Sequence, residues 1–361
     1  MGRGKSAVES LEKLKRFYSD RTVLVTGHTG FKGSWLCEIL VKLGAKVVGY
    51  SLPSSTNPNL YSMLNLDSKI TSVIGDVRDY EKIRSVIKMH RPQIVFHLAA
   101  QPIVRESYIH PRETFEINVM GTVNLLEAIR TTDSVISFVN ITTDKVYENE
   151  DGRDRPLRED EKLDGHDPYS NSKSCSELVT HSYIKSFLKE KGVSVSTVRA
   201  GNVIGGGDFS KDRIIPDCVR ALYSNNVMII RNPDSIRPYQ HVLEPLNVYI
   251  QLAMMQTENK SFSSAYNVGP DEEDCLKTID IVKKFSSQSS FVFKIEKDDG
   301  PHEASYLKLD NSKIKKYLGW HPILNIDDAI AWIAEWTNIY INGKDIIEVV
   351  DSQIERYFKL L

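Results

Sequence analysis

Apolar positions along the chain fall into two alternating kinds of block. Short, nearly unbroken runs rich in Val and Ile recur at Thr22–Thr26, Lys46–Ser51, Ile70–Ile74, Ile94–Ala100, Val135–Ile141 and Val193–Val198. Runs of this length without polar alternation suit strands buried on both faces. Between them apolar residues are spaced three and four apart, as in Trp35, Leu36, Ile39, Leu40 and Leu43. The same spacing returns within 80–90, in Phe115, Val119, Leu125, Leu126 and Ile129, and in Leu178, Tyr183 and Phe187. That is the stripe of a helix lying on a sheet. Repeated alternation of strand and helix predicts an α/β domain on a doubly wound parallel sheet over residues 21–200. Residues 52–68 and the charged stretch 148–167 read as loops. Ahead of the domain, Leu11, Leu14 and Tyr18 predict a short helix in an N-terminal extension, residues 1–20. Past Arg199 the alternation loosens into Gly205-Gly206-Gly207 and clustered prolines. Residues 201–361 are expected to form mainly a smaller second lobe, with segments near 240–269 returning to the first domain.

Composition narrows the partners. With 361 residues, 41% hydrophobic and 26% charged, the chain has ample material for a core. A net charge of −2 gives no reason to expect nucleic acid or an anionic membrane surface. No apolar run approaches the roughly 18 residues of a membrane helix. The N-terminus is polar and basic, without the apolar core of a signal peptide. Cys37, Cys175, Cys218 and Cys275 are scattered with no CxxC pair, so neither a zinc site nor a disulfide framework is expected. They fit a reducing, cytoplasmic setting.

The first strand runs directly into Gly27, Gly30 and Gly33, and the first helix follows. Strand, glycine turn and helix are the context of a dinucleotide fingerprint, which makes the domain Rossmann-like. Gly27 and Gly30 let the backbone turn and approach a pyrophosphate, and Gly33 lets helix and strand pack closely. The helix N-terminus offers N–H groups and partial positive charge to the phosphates. The second strand ends in Ser51, where an NAD-preferring domain often has an acid, so NAD and NADP both stay open at this point. Asp76, directly after the third strand, can accept from an adenine amino group. His97, alone in an apolar strand, reads as a hydrogen-bonded core residue. The small pair Ala99-Ala100 at that strand's end lets a cofactor lie against the backbone.

Tyr169 and Lys173 are four apart, on one face of a helix. A lysine ammonium beside a phenol lowers the phenol's pKa and makes tyrosinate available to take a hydroxyl proton. Thr143, at the end of the fifth strand, can hydrogen-bond the same hydroxyl. A YxxxK spacing by itself is common; the fingerprint upstream and the strand-end Thr give it weight.

These residues carry a resemblance. Val25-Thr26-Gly27-His28-Thr29-Gly30-Phe31-Lys32-Gly33, His97-Leu98-Ala99-Ala100-Gln101-Pro102, Thr143-Asp144-Lys145 and Asp167-Pro168-Tyr169-Ser170-Asn171-Ser172-Lys173 are similar to the extended short-chain dehydrogenase/reductase family, in its nucleotide-sugar branch. Further motifs, Arg199-Ala200-Gly201-Asn202, Ile230-Arg231-Asn232-Pro233, Arg237-Pro238-Tyr239-Gln240-His241-Val242 and Leu318-Gly319-Trp320-His321-Pro322, extend it over residues 21 to about 325. The resemblance implies a homodimer or tetramer with NAD as cofactor (NADP not excluded), no metal, and CDP-glucose or a related nucleotide sugar as substrate. It places the cofactor against Gly27, Thr29, Gly30, Phe31, Lys32, Gly33, Ser51, Asp76, Val77, Leu98, Ala99, Ala100, Gln101, Thr142, Tyr169 and Lys173.

It also implies 4,6-dehydration. Tyr169 deprotonates the C4 hydroxyl, hydride leaves C4, water is eliminated across C5 and C6, and the hydride returns to C6. Asp144 is the expected acid for the departing hydroxyl. Lys145 stands where related dehydratases carry a Glu base, and a lysine base must be neutral. Asn202, Arg213, Arg231 and Arg237 are expected to hold the sugar and its diphosphate, since the planar guanidinium matches phosphate geometry. Two other readings stand beside this one. A 4-epimerase or reductase needs only Thr143, Tyr169 and Lys173; a non-catalytic NAD(P)-sensing protein would be expected to lack the Tyr/Lys pair.

Overall fold

The computed structural model describes residues 2–149, 155–224, 226–289, 291–296 and 306–361. Of the stretch 148–167 expected as a loop, residues 150–154 lie outside the described ones. Six strands fall where the apolar runs lie: β1 (Thr22–Thr26), β2 (Lys46–Ser51), β3 (Thr71–Ile74), β4 (Ile94–His97), β5 (Ser137–Ile141) and β6 (Ser194–Ala200). A seventh, Ala265–Val268, pairs with β6 in parallel, Tyr266 opposite Val198. The sheet order is Ala265–Val268, β6, β5, β4, β1, β2, β3, and every pairing is parallel. After β3 the chain crosses back to place β4 beside β1. That reversal opens a crevice at the carboxyl ends of these two strands, where open α/β sheets bind ligands.

Alternation along the strands feeds two cores. Val23 and Val25 face one side, packed with Trp35, Leu36, Ile39 and Leu40 of α2 (Phe31–Lys42) and with the helix Leu243–Glu258. Leu24 faces the other, among Ile83, Ile87, Leu125, Leu126 and Ile129. The N-terminal helix α1 (Gly2–Tyr18) buries Leu14 and Tyr18, and the Tyr18 hydroxyl donates to Ile250 O at 2.8 Å. A third core joins the helices Ile214–Ser224, Thr278–Ser289 and Ile326–Ile341.

Local details depart from the periodicity. The helix expected over 114–130 starts at Pro111 and includes a π turn at Glu116–Met120. That after Tyr169 includes another at Ile184–Leu188. Residues 52–68 are not all loop. Asn59 Oδ1 accepts from Ser62 N at 2.9 Å and caps a helical turn at Leu60–Met63, and Leu66–Ser68 forms a second. A single turn is too short to show as an apolar stripe.

Candidate active site

The glycine turn is shaped by contacts a side chain would forbid. Gly27 has φ +75°, and a Cβ there would lie 2.8 Å from Ala99 N. A Cβ on Gly33 would lie 2.1 Å from Gly27 O. The end of β1 thus lies against the end of β4 on one side and the first turn of α2 on the other. Gly30 precedes α2 with no side-chain cap, so the N–H groups of the first turn have no intrahelical partner. This cradle fits a dinucleotide pyrophosphate.

The strand ends around it contribute unequally. The Thr29 hydroxyl donates to Leu52 O at 2.8 Å and lies 3.0 Å from Ser51 Oγ, closing the end of β2. Asp76 has already taken Arg78: the guanidinium donates from Nη2 at 2.6 Å and Nε at 3.0 Å, and the carboxyl is held below its ordinary value, by the Arg78 hydrogen bond first. Val77 is buried against Gly121. The Gln101 amide is occupied locally, donating to Ile103 O and Thr114 Oγ1. Asn118 links this loop to the Tyr169 helix, accepting from Gln101 N at 2.8 Å and donating to Ser172 Oγ at 2.9 Å. His97 is a core residue, with its ring nitrogens 2.8 Å from Thr26 Oγ1 and 3.2 Å from Thr122 Oγ1. Burial, then Lys173, pulls its pKa down to about 3, so it stays neutral.

The catalytic candidates converge. Lys32, Leu98, Ala100, Thr142, Thr143, Asp144, Lys145, Tyr169 and Lys173 line one cleft of about 300 Å³ with Asn202, Arg213, Arg231 and Arg237. The Thr143 hydroxyl donates to Asp144 Oδ1 at 3.0 Å and caps the turn that follows β5. Asp144 is 2% exposed, and its Oδ2 has no partner among the described residues. Burial raises its pKa against the pull of Lys145, Thr143 and Arg237, which favours the protonated, acid form.

Lys173 Nζ donates to Ile141 O at 2.9 Å, and burial brings its pKa down to about 8 while Glu177 pushes it up. Tyr169 corrects the expectation for the phenol. Burial pushes it up to about 12, with the Thr143 hydroxyl and Arg213 pulling the other way. The lowering expected from Lys173 is thus outweighed by burial. The Lys32 side chain reaches the same cleft; burial first, then Arg213 and Lys173, lower it to about 7 against Asp144 and Asp208.

Residues after Arg199 line the cleft with arginines, two of them paired with aspartates. Asp208 Oδ2 accepts from Arg213 at 3.2 Å, and Asp212 Oδ1 accepts from Arg231 at 2.8 Å. Arg237, 4% exposed, donates to Ile236 O at 3.1 Å. Three guanidinia held over one cleft suit a second anionic group besides the cofactor's.

Sequence reasoning missed the layer behind these residues. Glu177, one turn after Lys173, accepts from Thr142 Oγ1 at 2.6 Å and Thr197 Oγ1 at 2.7 Å. Arg199 donates to both its oxygens, each at 3.0 Å. The continuation of the tyrosine–lysine spacing, Tyr169, Lys173, Glu177, was the signal that could have found it.

A parallel sheet with this crevice and a tyrosine–lysine helix beside a strand-end threonine defines a short-chain dehydrogenase/reductase of the nucleotide-sugar type. Residues 24–332 match the family model described as GDP-mannose 4,6 dehydratase, and the chain belongs to that family. It is 46% identical, over 95% of its length and 98% of the relative's, to a CDP-glucose 4,6-dehydratase of Salmonella typhimurium. A dTDP-glucose 4,6-dehydratase of the same organism is 27% identical over 87% of the chain and 92% of the relative. Among solved structures, dTDP-glucose 4,6-dehydratase of Bacillus anthracis in complex with NAD superposes with TM-score 0.75 at 19% identity, covering 91% of this chain and 99% of that one. UDP-glucose 4-epimerase of Thermotoga maritima with UDP-glucose does so with TM-score 0.76 at 22% identity, covering 89% and 99%. These two carry the fold.

Proposed function

We propose that the chain is a hydro-lyase of the nucleotide-sugar 4,6-dehydratase type, converting CDP-glucose to CDP-4-keto-6-deoxy-glucose. The relative at 46% identity, matched along nearly its whole length, supports CDP-glucose. The observation that carries dehydration is Asp144: a buried carboxyl, biased toward its protonated form, in the same cleft as Tyr169 and Lys173. A 4-epimerase would leave that acid idle.

The cofactor is NAD, cradled by Gly27, Gly30 and Gly33, and when bound it supplies the hydride acceptor and donor. Tyr169 takes the C4 hydroxyl proton, with Thr143 orienting the same oxygen. The ketone left at C4 acidifies C5–H, so a cleft base can remove that proton while Asp144 protonates the leaving O6. We assign Lys145 the base position. Arg213, Arg231 and Arg237 hold the diphosphate, and Asn202 lies between sugar and phosphate. The exposed apolar residues Tyr108, Ile109, Met120, Leu178 and Phe187, on the helices beside the cleft, support pairing of two chains.

Incubation with CDP-, UDP-, GDP- and dTDP-glucose tests this reading. CDP-glucose should lose one water by mass and do so fastest; a product of unchanged mass would mean epimerisation. Substrate deuterated at C4 should give product deuterated at C6, even with excess unlabelled NADH present. Wash-out of the label would end the dehydratase reading.

A further inference from the structure

Glu177 and Arg199 are among the most deeply buried charges of the protein, 0% and 1% exposed. Removing two charges from water is costly, and such a pair is weak evidence for stability, since apolar residues of the same volume often serve as well. Its position needs another explanation. Tyr169, Lys173 and Glu177 are spaced four apart on one helix, so the carboxylate follows the two proposed catalytic groups along one face.

Four donors fix that carboxylate. Thr142, adjoining Thr143 and Asp144, donates to Oε1 at 2.6 Å. Thr197 and Arg199, on the strand leading to Asn202, donate at 2.7 Å and 3.0 Å. Arg199 is itself held, donating to the Tyr147 hydroxyl at 2.8 Å and Glu159 O at 3.0 Å. One carboxylate thus joins the three segments that present the tyrosine and lysine, the threonine and acid, and the substrate-side asparagine.

We propose that Glu177 is a positioning residue for the reaction: its locked carboxylate is the counter-charge that keeps Lys173 cationic and holds the Thr143–Asp144 turn against Tyr169. The surroundings of Lys173 support this. Its own helix presents Tyr169 and Glu177, β4 presents neutral His97, α2 presents Lys32, and the end of β5 presents Asp144, whose pKa burial raises. The hydrogen-bond acceptor of its ammonium is the uncharged Ile141 O. Burial lowers its pKa to about 8, and Glu177 is the group that opposes this. For Glu177 burial acts upward, but Arg199 and the hydroxyls outweigh it and hold the carboxyl below its ordinary value. It therefore stays charged wherever Lys173 titrates.

The inference rests on the dehydratase reading only in needing a turnover to follow, and the two fail separately: product mass tests the reaction, the pH profile tests Glu177. Turnover of CDP-glucose by the NAD-loaded enzyme would be followed against pH for wild type, Glu177→Gln, and the double variant Glu177→Met/Arg199→Met. The double variant removes the pair without stranding a buried charge. In both variants the alkaline limb of kcat should move to lower pH by about one unit, roughly tenfold at pH above the limb. Near pH 6.5 the loss should be smaller, with KM little changed, and Glu177→Asp should return the limb toward its wild-type position. A limb that stays in place while kcat drops equally at every pH would overturn the proposal. So would failure of both variants to fold and bind NAD, since that would assign the pair to the fold.

Discussion

At the scale of single residues the cleft separates two kinds of proton work. Tyr169 and Asp144 both have pKa values raised by burial; in the proposed mechanism one gives up its proton to start and the other keeps its proton until O6 leaves. Tyr169→Phe keeps the ring and loses only the oxygen. It should retain NAD binding and thermal stability while turnover falls by about 10²–10⁴, read as product formation. Asp144→Asn should still oxidise C4, because Thr143, Tyr169 and Lys173 remain, and then stall. Reduced nicotinamide should accumulate, visible at its absorbance band after one addition of CDP-glucose. An unchanged rate of 6-deoxy product would remove Asp144 from the mechanism. Lowering the pH should not impair Asp144 as an acid, since both the fall in pH and its raised pKa act toward protonation.

At the scale of elements, the turn between β1 and α2 is where sequence and geometry meet most closely. Gly33→Ala would place a methyl 2.1 Å from Gly27 O, and both partners there are backbone. Helix and strand must separate, which costs about 1–3 kcal/mol and spoils the N-terminal cradle. The melting temperature should drop, and its rise on adding NAD should shrink; a full NAD-dependent rise would mean that the cradle tolerates the spread. The six strands up to residue 200 were legible because parallel strands buried on both faces leave unbroken apolar runs. The helical turns at Leu60–Met63 and Leu66–Ser68 were not, since each is too short to carry a periodic stripe. Among candidate site residues, those at the ends of β4 and β5 and on the tyrosine–lysine helix lie together in the cleft. Asp76 and Gln101 were harder to read, because Arg78 in one case and Ile103 and Thr114 in the other engage their side chains first, and local hydrogen bonds of that kind leave no sequence period. For Glu177 the four-residue spacing from Tyr169 and Lys173 was the only trace in the sequence; that Thr142, Thr197 and Arg199 converge on its carboxylate is set by the tertiary fold.

At the scale of the whole molecule, apolar side chains lie exposed along the helices that follow β4 and β5. Leu178 is 53% and Phe187 43% exposed, on the helix that also presents Tyr169 and Lys173. Pairing through this face would make assembly and active-site rigidity interdependent. Leu178→Glu combined with Phe187→Asp should leave the monomer folded by circular dichroism and halve the particle mass seen by light scattering at micromolar concentration. Wild type that is already monomeric under those conditions would remove the paired assembly.

One feature of the sheet bears on how the chain is made. β6 is complete at Ala200, yet the strand that pairs with its outer edge, Ala265–Val268, comes only after the helix Leu243–Glu258 that covers the β5 and β6 face. During synthesis the emerging polypeptide therefore holds an unpaired strand edge beside a bare face, with Val139, Ile141 and Val198 uncovered and Ser137, Ser194 and Ser196 without their helix partners, while some tens of residues are added. At ribosomal speed that interval lasts on the order of ten seconds, long compared with the microseconds in which hairpins close. Unpaired edges of this kind template contact between neighbouring chains. The nascent protein thus passes through a window in which chaperone shielding of β6 matters more than at any later time, and the arrival of Ala265–Val268 closes it.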